Sequence, residues 1–130
     1  MRSASATFSR IEAALVATVL GSPDPEAWDE FRLGLLERVQ LGGVRAVVVD
    51  LSAVHVMDPE DFEHLRQTMR MAAVLGARAV LSGVSPVIAR TMVELGIDVG
   101  SISTSATLRD ALERAFGTIG VTVTTSPSSR

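Results

Sequence analysis

The sequence predicts a mixed α/β domain, a largely parallel β-sheet with about four helices packed against it in the order ββαβαβαβα. Val44 to Leu51 reads Val-Arg-Ala-Val-Val-Val-Asp-Leu, a β-branched run of the kind buried on both faces of a parallel sheet. Strand-like runs alternate with helical patterns of ten to fifteen residues, the arrangement that right-handed crossovers require. Three pairs, Asp24-Pro25, Asp58-Pro59 and Ser85-Pro86, each set a capping oxygen before a proline at the first helical position.

Taken in order, Ser9 to Glu12 and Ala13 to Leu20 form an opening strand pair. The first helix follows Asp24, with Trp28, Phe31, Leu35 and Val39 recurring at 3.6-residue spacing on one face. Val44 to Leu51 is the central strand. The second helix follows Asp58 and buries Phe62, Leu65, Met69 and Ala72. Ala77 to Leu81 repeats the strand pattern more weakly, and Val99 to Ser103 more weakly still, with a third helix between them after Ser85. The last helix runs from about Leu108 to Phe116, with Thr107 as its cap and Asp110 three residues on as a shortened capping box. Gly42-Gly43, Gly76, Gly96 and Gly117 supply the helix stops.

The 130 residues suit one domain with a real core, here placed over 1–120, and the Ser/Thr-rich end 121–130 reads as a flexible tail. Hydrophobic residues make up 47% and charged residues 21%, a globular balance. A net charge of −3 without a basic run lacks the footprint of a nucleic-acid binder. There is no cysteine, so a reducing cytoplasm costs the fold nothing. All twelve basic residues are arginines, which removes Schiff-base and P-loop lysine chemistry. Arg2 and Arg10 ahead of the apolar run Ala13 to Leu20 have the outline of a secretory signal. Glu12 breaks that outline, no small-residue cleavage pattern follows, and the run is short of the ~20 residues that span a bilayer. A buried strand is the better reading, and no membrane partner is expected.

The informative stretch is Asp50-Leu51-Ser52-Ala53-Val54-His55-Val56-Met57-Asp58-Pro59-Glu60-Asp61, where the central strand hands over to a capped helix. Unpaired N–H groups at such a helix start attract anions. The segment resembles the STAS family of anti-sigma-factor antagonists, whose pattern is an apolar strand, Asp, Ser or Thr, then an apolar residue followed by Asp and a second Ser or Thr. Leu75 to Ile97, Leu-Gly-Ala-Arg-Ala-Val-Leu-Ser-Gly-Val-Ser-Pro-Val-Ile-Ala-Arg-Thr-Met-Val-Glu-Leu-Gly-Ile, is similar to the stressosome scaffold branch of that family. The likeness covers nearly all of Arg45 to Phe116.

What the resemblance implies is a regulatory switch: in the family the hydroxyl residue after the second aspartate is phosphorylated by a switch kinase. Here Pro59 follows Asp58, and Glu60 follows Pro59, so neither position can accept a phosphate. Glu60 and Asp61, in a first helical turn where a carboxylate gains about 0.3–1 kcal/mol, are candidate phosphate mimics. One carboxylate is a poor substitute for a phosphate of nearly two charges, so a lost switch is preferred. By the same resemblance Thr91 aligns with a second phosphorylatable hydroxyl of the scaffold proteins. Its plain alternative is packing or back-bonding within its own helix.

Other constellations are weaker. Ser52, His55 and Asp58 lie close in sequence, but Ser52 lacks the glycines of a nucleophile elbow and reads as a loop hydroxyl. Asp50 stands where a receiver domain keeps its phosphoacceptor. Glu12 is the only acid among the first twenty residues, however, and the required lysine is absent. Asp50 therefore reads as a loop organiser that bonds the backbone two residues on. A metal would depend on His55 and His64, which lack a ligand spacing. His64 is expected on the solvated side of its helix beside Glu60, Glu63 and Arg66, and His55 in the loop as a partner contact. The methionines Met57, Met69, Met71 and Met92 read as core fillers first and as adaptable contact residues second.

The expectation is a cytoplasmic, non-catalytic protein-binding module without cofactor. Its docking rim would consist of His55, Asp58, Pro59, Glu60, Asp61, Ser85 and Pro86. The partners implied by the resemblance are other STAS-domain proteins, a switch kinase or an anti-sigma factor. A homodimer or larger assembly is expected from the surplus apolar surface. The rival is a small-ligand or nucleotide sensor using the same helix starts.

Overall fold

The structure is a computed structural model that describes residues 6–97 and 103–118. Its elements are β1 (Ala6–Ile11), β2 (Ala14–Leu20), α1 (Pro25–Gln40), β3 (Ala46–Ala53), α2 (Pro59–Val74), β4 (Arg78–Ser82), α3 (Pro86–Glu94), β5 (Ser103–Ser105) and α4 (Leu108–Thr118). The predicted order is the observed one. The tail predicted over 121–130 lies outside the described residues.

The sheet runs β1-β2-β3-β4-β5, with β1 antiparallel to β2 and every later pair parallel. Because each crossover steps one strand along the sheet in the same direction, right-handed connections place α1, α2 and α3 on one face. The core shows this division. Leu15, Val47, Val49, Leu51 and Leu81 pack with Trp28, Phe31, Leu35, Phe62, Leu65, Ile88 and Met92. Val16, Ala46, Val48 and Val80 face the other way, against Ala111 and Ala115 of α4. Val47, Val48 and Val49 are fully buried, so the β-branched run serves both layers, at about 1.5–3 kcal/mol of hydrophobic stabilisation per side chain.

Helix starts follow the predicted chemistry. Asp24 Oδ1 accepts from the Ala27 N–H at 2.8 Å, Asp58 Oδ1 from the Asp61 N–H at 2.8 Å, and Ser85 Oγ from the Ile88 N–H at 3.1 Å. Thr107 Oγ1 accepts from the Asp110 N–H at 3.1 Å. At the other ends, α2 and α3 close in the same way: Ala77 N–H donates to Ala72 O and Gly76 N–H to Ala73 O, and Ile97 N–H donates to Met92 O and Gly96 N–H to Val93 O. These paired bonds define Schellman motifs and satisfy the last carbonyls of each helix.

Strand limits differ from expectation. β1 begins at Ala6 rather than Ser9, because its whole length pairs with β2 from Ala6↔Val19 to Ile11↔Ala14, and Glu12 turns the hairpin at φ 53°. β3 starts two residues later than predicted and runs on through Ser52 to Ala53, since Ala53 still pairs with Leu20 beyond a bulge. β4 is displaced by one residue. β5 is observed at Ser103–Ser105, and residues 99–102 of the predicted strand lie outside the described residues. Gly117 does not stop α4, which continues to Thr118; an exposed glycine in a last turn needs no left-handed backbone and costs only about 1 kcal/mol against alanine.

Candidate functional site

Parallel strands with antiparallel helices collect the N-termini of α1, α2 and α3 along the carboxyl edge of the sheet, and the predicted rim residues lie on that edge. The link from β3 to α2 is anchored by Val54 and Met57, both buried, and displays His55 and Val56 between them. Asp58, Pro59 and Glu60 are exposed, Asp61 and Ser85 are half-buried, and Pro86 is exposed.

The start of α2 is held by a reciprocal pair. The Asp61 N–H donates to Asp58 Oδ1 at 2.8 Å, and the Asp58 N–H donates to Asp61 Oδ2 at 2.9 Å. This is a capping box, which satisfies two otherwise unpaired donors. Asp61 Oδ1 also accepts from the Trp28 indole N–H at 2.9 Å, which ties α2 to α1. Both oxygens of Asp61 thus have structural partners, and Glu60 is the freely presented acid of this turn. The spacing Asp-x-x-Asp is the sequence signal for this box, whereas the sequence reading places Asp61 only as a rim acid and candidate mimic.

Asp50 is buried, and its Oδ1 accepts from the Ser52 N–H at 3.0 Å, two residues on. Ser52 is exposed at the end of β3. Gly83 presses against this corner with φ 72°; a Cβ there would fall 2.7 Å from Ser52 N and 2.8 Å from Asp50 Oδ1. Backbone contact that close, in a left-handed conformation, admits glycine alone. The loops after β3 and β4 are thereby locked together, which sets the α2 and α3 starts side by side.

Three features were missed. Thr18, Asp50, Ser82 and Ser105 stand in register across four strands, forming a polar row at the carboxyl edge. The hydroxyls of Ser82 and Ser105 are buried with no protein hydrogen-bond partner. A polar residue late in the apolar strands β2, β3 and β4 was the available signal. His64 is not on a solvated face: it is half-buried and its ring lies parallel to Trp28, 6.1 Å between centroids. Three residues beyond Asp61, it shares the side of α2 that meets α1. Finally, a groove of about 360 Å³ separates α2 from α3, with Phe62, Leu65 and Met69 on one wall, Met92 and Leu95 on the other and Leu81 among the lining residues.

Thr91 is half-buried, in the second turn of α3, and its Oγ1 donates to Val87 O at 3.0 Å. It lies off the rim, some 9 Å along the helix from Ser85 at 1.5 Å per residue. Among the described residues no three His, Cys, Asp or Glu side chains gather as a metal site, and no helix is long and apolar enough to cross a membrane.

The family model for the STAS domain matches residues 6–111, which takes in the whole sheet and all three helix starts of the rim. The chain belongs to the STAS family. Among its relatives are the RsbT co-antagonist protein RsbRA of Bacillus subtilis, 31% identical over 78% of this chain, and RsbRB of the same organism, 36% identical over 53%. The matched regions make up only 37% and 25% of those two proteins, so the chain corresponds to a fraction of their length. Among solved structures, a variant of RsbS from Moorella thermoacetica superposes with a TM-score of 0.79 at 24% identity, covering 89% of this chain and 98% of that one. The unphosphorylated anti-sigma factor antagonist SpoIIAA gives 0.69 at 18%, covering 86% and 96%. These likenesses establish the STAS fold, with five strands and four helices. Within this STAS domain, Asp58 and Pro59 form the exposed start of α2 at the end of the β3–α2 link.

Proposed function

We propose that this STAS domain is a regulatory, non-catalytic binding module of the anti-sigma-factor antagonist or stressosome-scaffold type, working in the cytoplasm of a bacterial stress pathway. Its docking surface is the rim of His55, Asp58, Pro59, Glu60, Asp61, Ser85 and Pro86, and its partners are other STAS-domain proteins, a switch kinase or an anti-sigma factor. The observation that carries the reading is the α2 start, where a reciprocal capping box presents an exposed turn led by Pro59; on the resemblance, that proline stands where the family carries its phosphorylatable hydroxyl. Phosphate cannot be added there, so the rim is held in one binding state. With Asp61 committed to Trp28 and Asp58, mimicry by this turn would rest on Glu60 alone, which supports loss of the switch over imitation of it.

The test is direct binding. The purified chain is mixed with a stressosome scaffold protein, and separately with a switch kinase, and mass is measured by light scattering after size exclusion. A complex with either, weakened by Glu60→Arg, is expected. Failure to bind both, together with a rise in melting temperature on adding nucleotides, would replace this reading with the ligand-sensor alternative.

A further inference from the structure

We propose that copies of this chain stack head to tail, the acidic carboxyl edge of one against the arginine-bearing amino edge of the next. The proposal rests on the reading of the rim as a protein-binding surface and names a second surface that completes it.

The two edges differ in charge. At the carboxyl edge, acids occupy the caps and first turns: Asp24 and Glu26 of α1, Asp58, Glu60 and Asp61 of α2. Val56 and Val87 stand among them, 66% and 61% exposed. At the opposite edge β3 and β4 begin side by side, because the Arg78 N–H donates to Arg45 O at 3.0 Å. That bond brings Arg45 and Arg78 to adjacent positions, both exposed, and neither has an ion pair among the described residues. Helix C-termini end on the same edge and leave Leu41 and Val74 81% and 86% exposed, with Leu75 beside Val74.

Each edge therefore joins apolar side chains to charge: the carboxyl edge presents acids, and the amino edge presents Arg45 and Arg78, with the exposed Glu12 of the β1–β2 turn beside Arg45, whose N–H donates to Ala13 O at 2.8 Å. Arginine beside exposed aliphatic residues is the composition of a protein interface rather than of a nucleic-acid stripe. A second copy supplies the match: its acids meet Arg45 and Arg78, and its Val56 and Val87 meet Leu41 and Val74. A symmetric pairing of like edges would oppose acid to acid or arginine to arginine, which is repulsive. The contact is thus heterologous, and its repetition builds a ring if the rotation closes and a filament if it does not.

Sedimentation velocity over a concentration series tests this. The wild-type chain is expected to move beyond monomer as concentration rises and to return toward monomer with added sodium chloride, which screens exposed charges. Glu60→Arg blocks one edge and the double substitution Arg45→Gln/Arg78→Gln blocks the other. All three residues are exposed, and an unchanged melting temperature confirms folding. Each variant alone should associate on the order of tenfold more weakly, or stay monomeric. Mixed in equal amounts, they should form a one-to-one dimer and nothing larger, since each retains the edge the other needs.

A wild-type chain that stays monomeric overturns the proposal, as do variants that assemble like wild type or a mixture no larger than its parts. If the chain binds a scaffold protein or switch kinase yet never self-associates, only this inference falls. If it stacks but binds neither, the proposed partners fall instead.

Discussion

The Trp28 indole N–H donates to Asp61 Oδ1 at 2.9 Å while Asp61 Oδ2 accepts from the Asp58 N–H, so one carboxylate both caps α2 and fastens it to α1. Trp28 is itself buried, packed edge-on to Phe31 and face-on to His64. Beside buried Val54 and Met57, this one side chain ties the rim to the core through a partner 33 residues away in sequence.

Asp61→Ala should destabilise the domain by about 2 kcal/mol, because it removes two accepted bonds and leaves the indole donor without its partner. Combined with Trp28→Phe in a double-mutant cycle, the coupling energy should be about 1 kcal/mol. Urea denaturation of the four proteins measures both. Independent, additive effects would mean that the bond contributes nothing beyond the cap.

Gly83→Ala should cost about 2 kcal/mol or more, since a left-handed backbone alone penalises an L residue by roughly 1–2 kcal/mol and the added methyl meets Ser52 N and Asp50 Oδ1. The thermal midpoint reads the loss. The same substitution at Gly117, inside α4, should be neutral or stabilising by up to about 1 kcal/mol.

Pro59→Ser keeps the helix start, because position N1 needs no N–H partner, and should lower stability by only about 0.5–1 kcal/mol through the looser unfolded chain. It should also create a phosphate acceptor. Incubation with a switch kinase, followed by mass spectrometry, should find phosphate on the new serine of the variant and nothing at Ser52 in either protein.

Thr91 offers a hydroxyl already engaged with Val87 O, so a kinase must first break that contact. Phosphate on the wild-type chain, where it is found, should map to Thr91 alone. Thr91→Val should abolish it while changing stability by no more than about 0.5 kcal/mol, as expected for a half-exposed back-bond. Label retained in this variant would reassign the site.

Much of the molecule was legible residue by residue where the physics is local. Asp24, Asp58 and Ser85 announce helix starts through a short-range capping bond to a proline-led turn, and the 3.6-residue spacing of Trp28, Phe31, Leu35 and Val39 marks a buried face that the core confirms. The Asp50 carboxylate reaching the backbone two residues on is equally local. β5 was harder to place, for a three-residue strand carries too few side chains to show a period. His64 was misplaced because its acidic neighbours along the chain suggest a wet face, whereas its surroundings are set by Trp28 on another helix.

From its sequence alone the chain determined its element order, its helix caps, the buried central strand and the proline that leads α2, all of which depend on residues within a turn or two of each other. Only the tertiary structure decided that Asp61 is spoken for by Trp28, that Gly83 seals the corner at Asp50 and Ser52, and that Arg45 and Arg78 share an edge opposite the acids. Those facts depend on which strands become neighbours and in what register. The packing of distant segments settles both, and no local pattern encodes them.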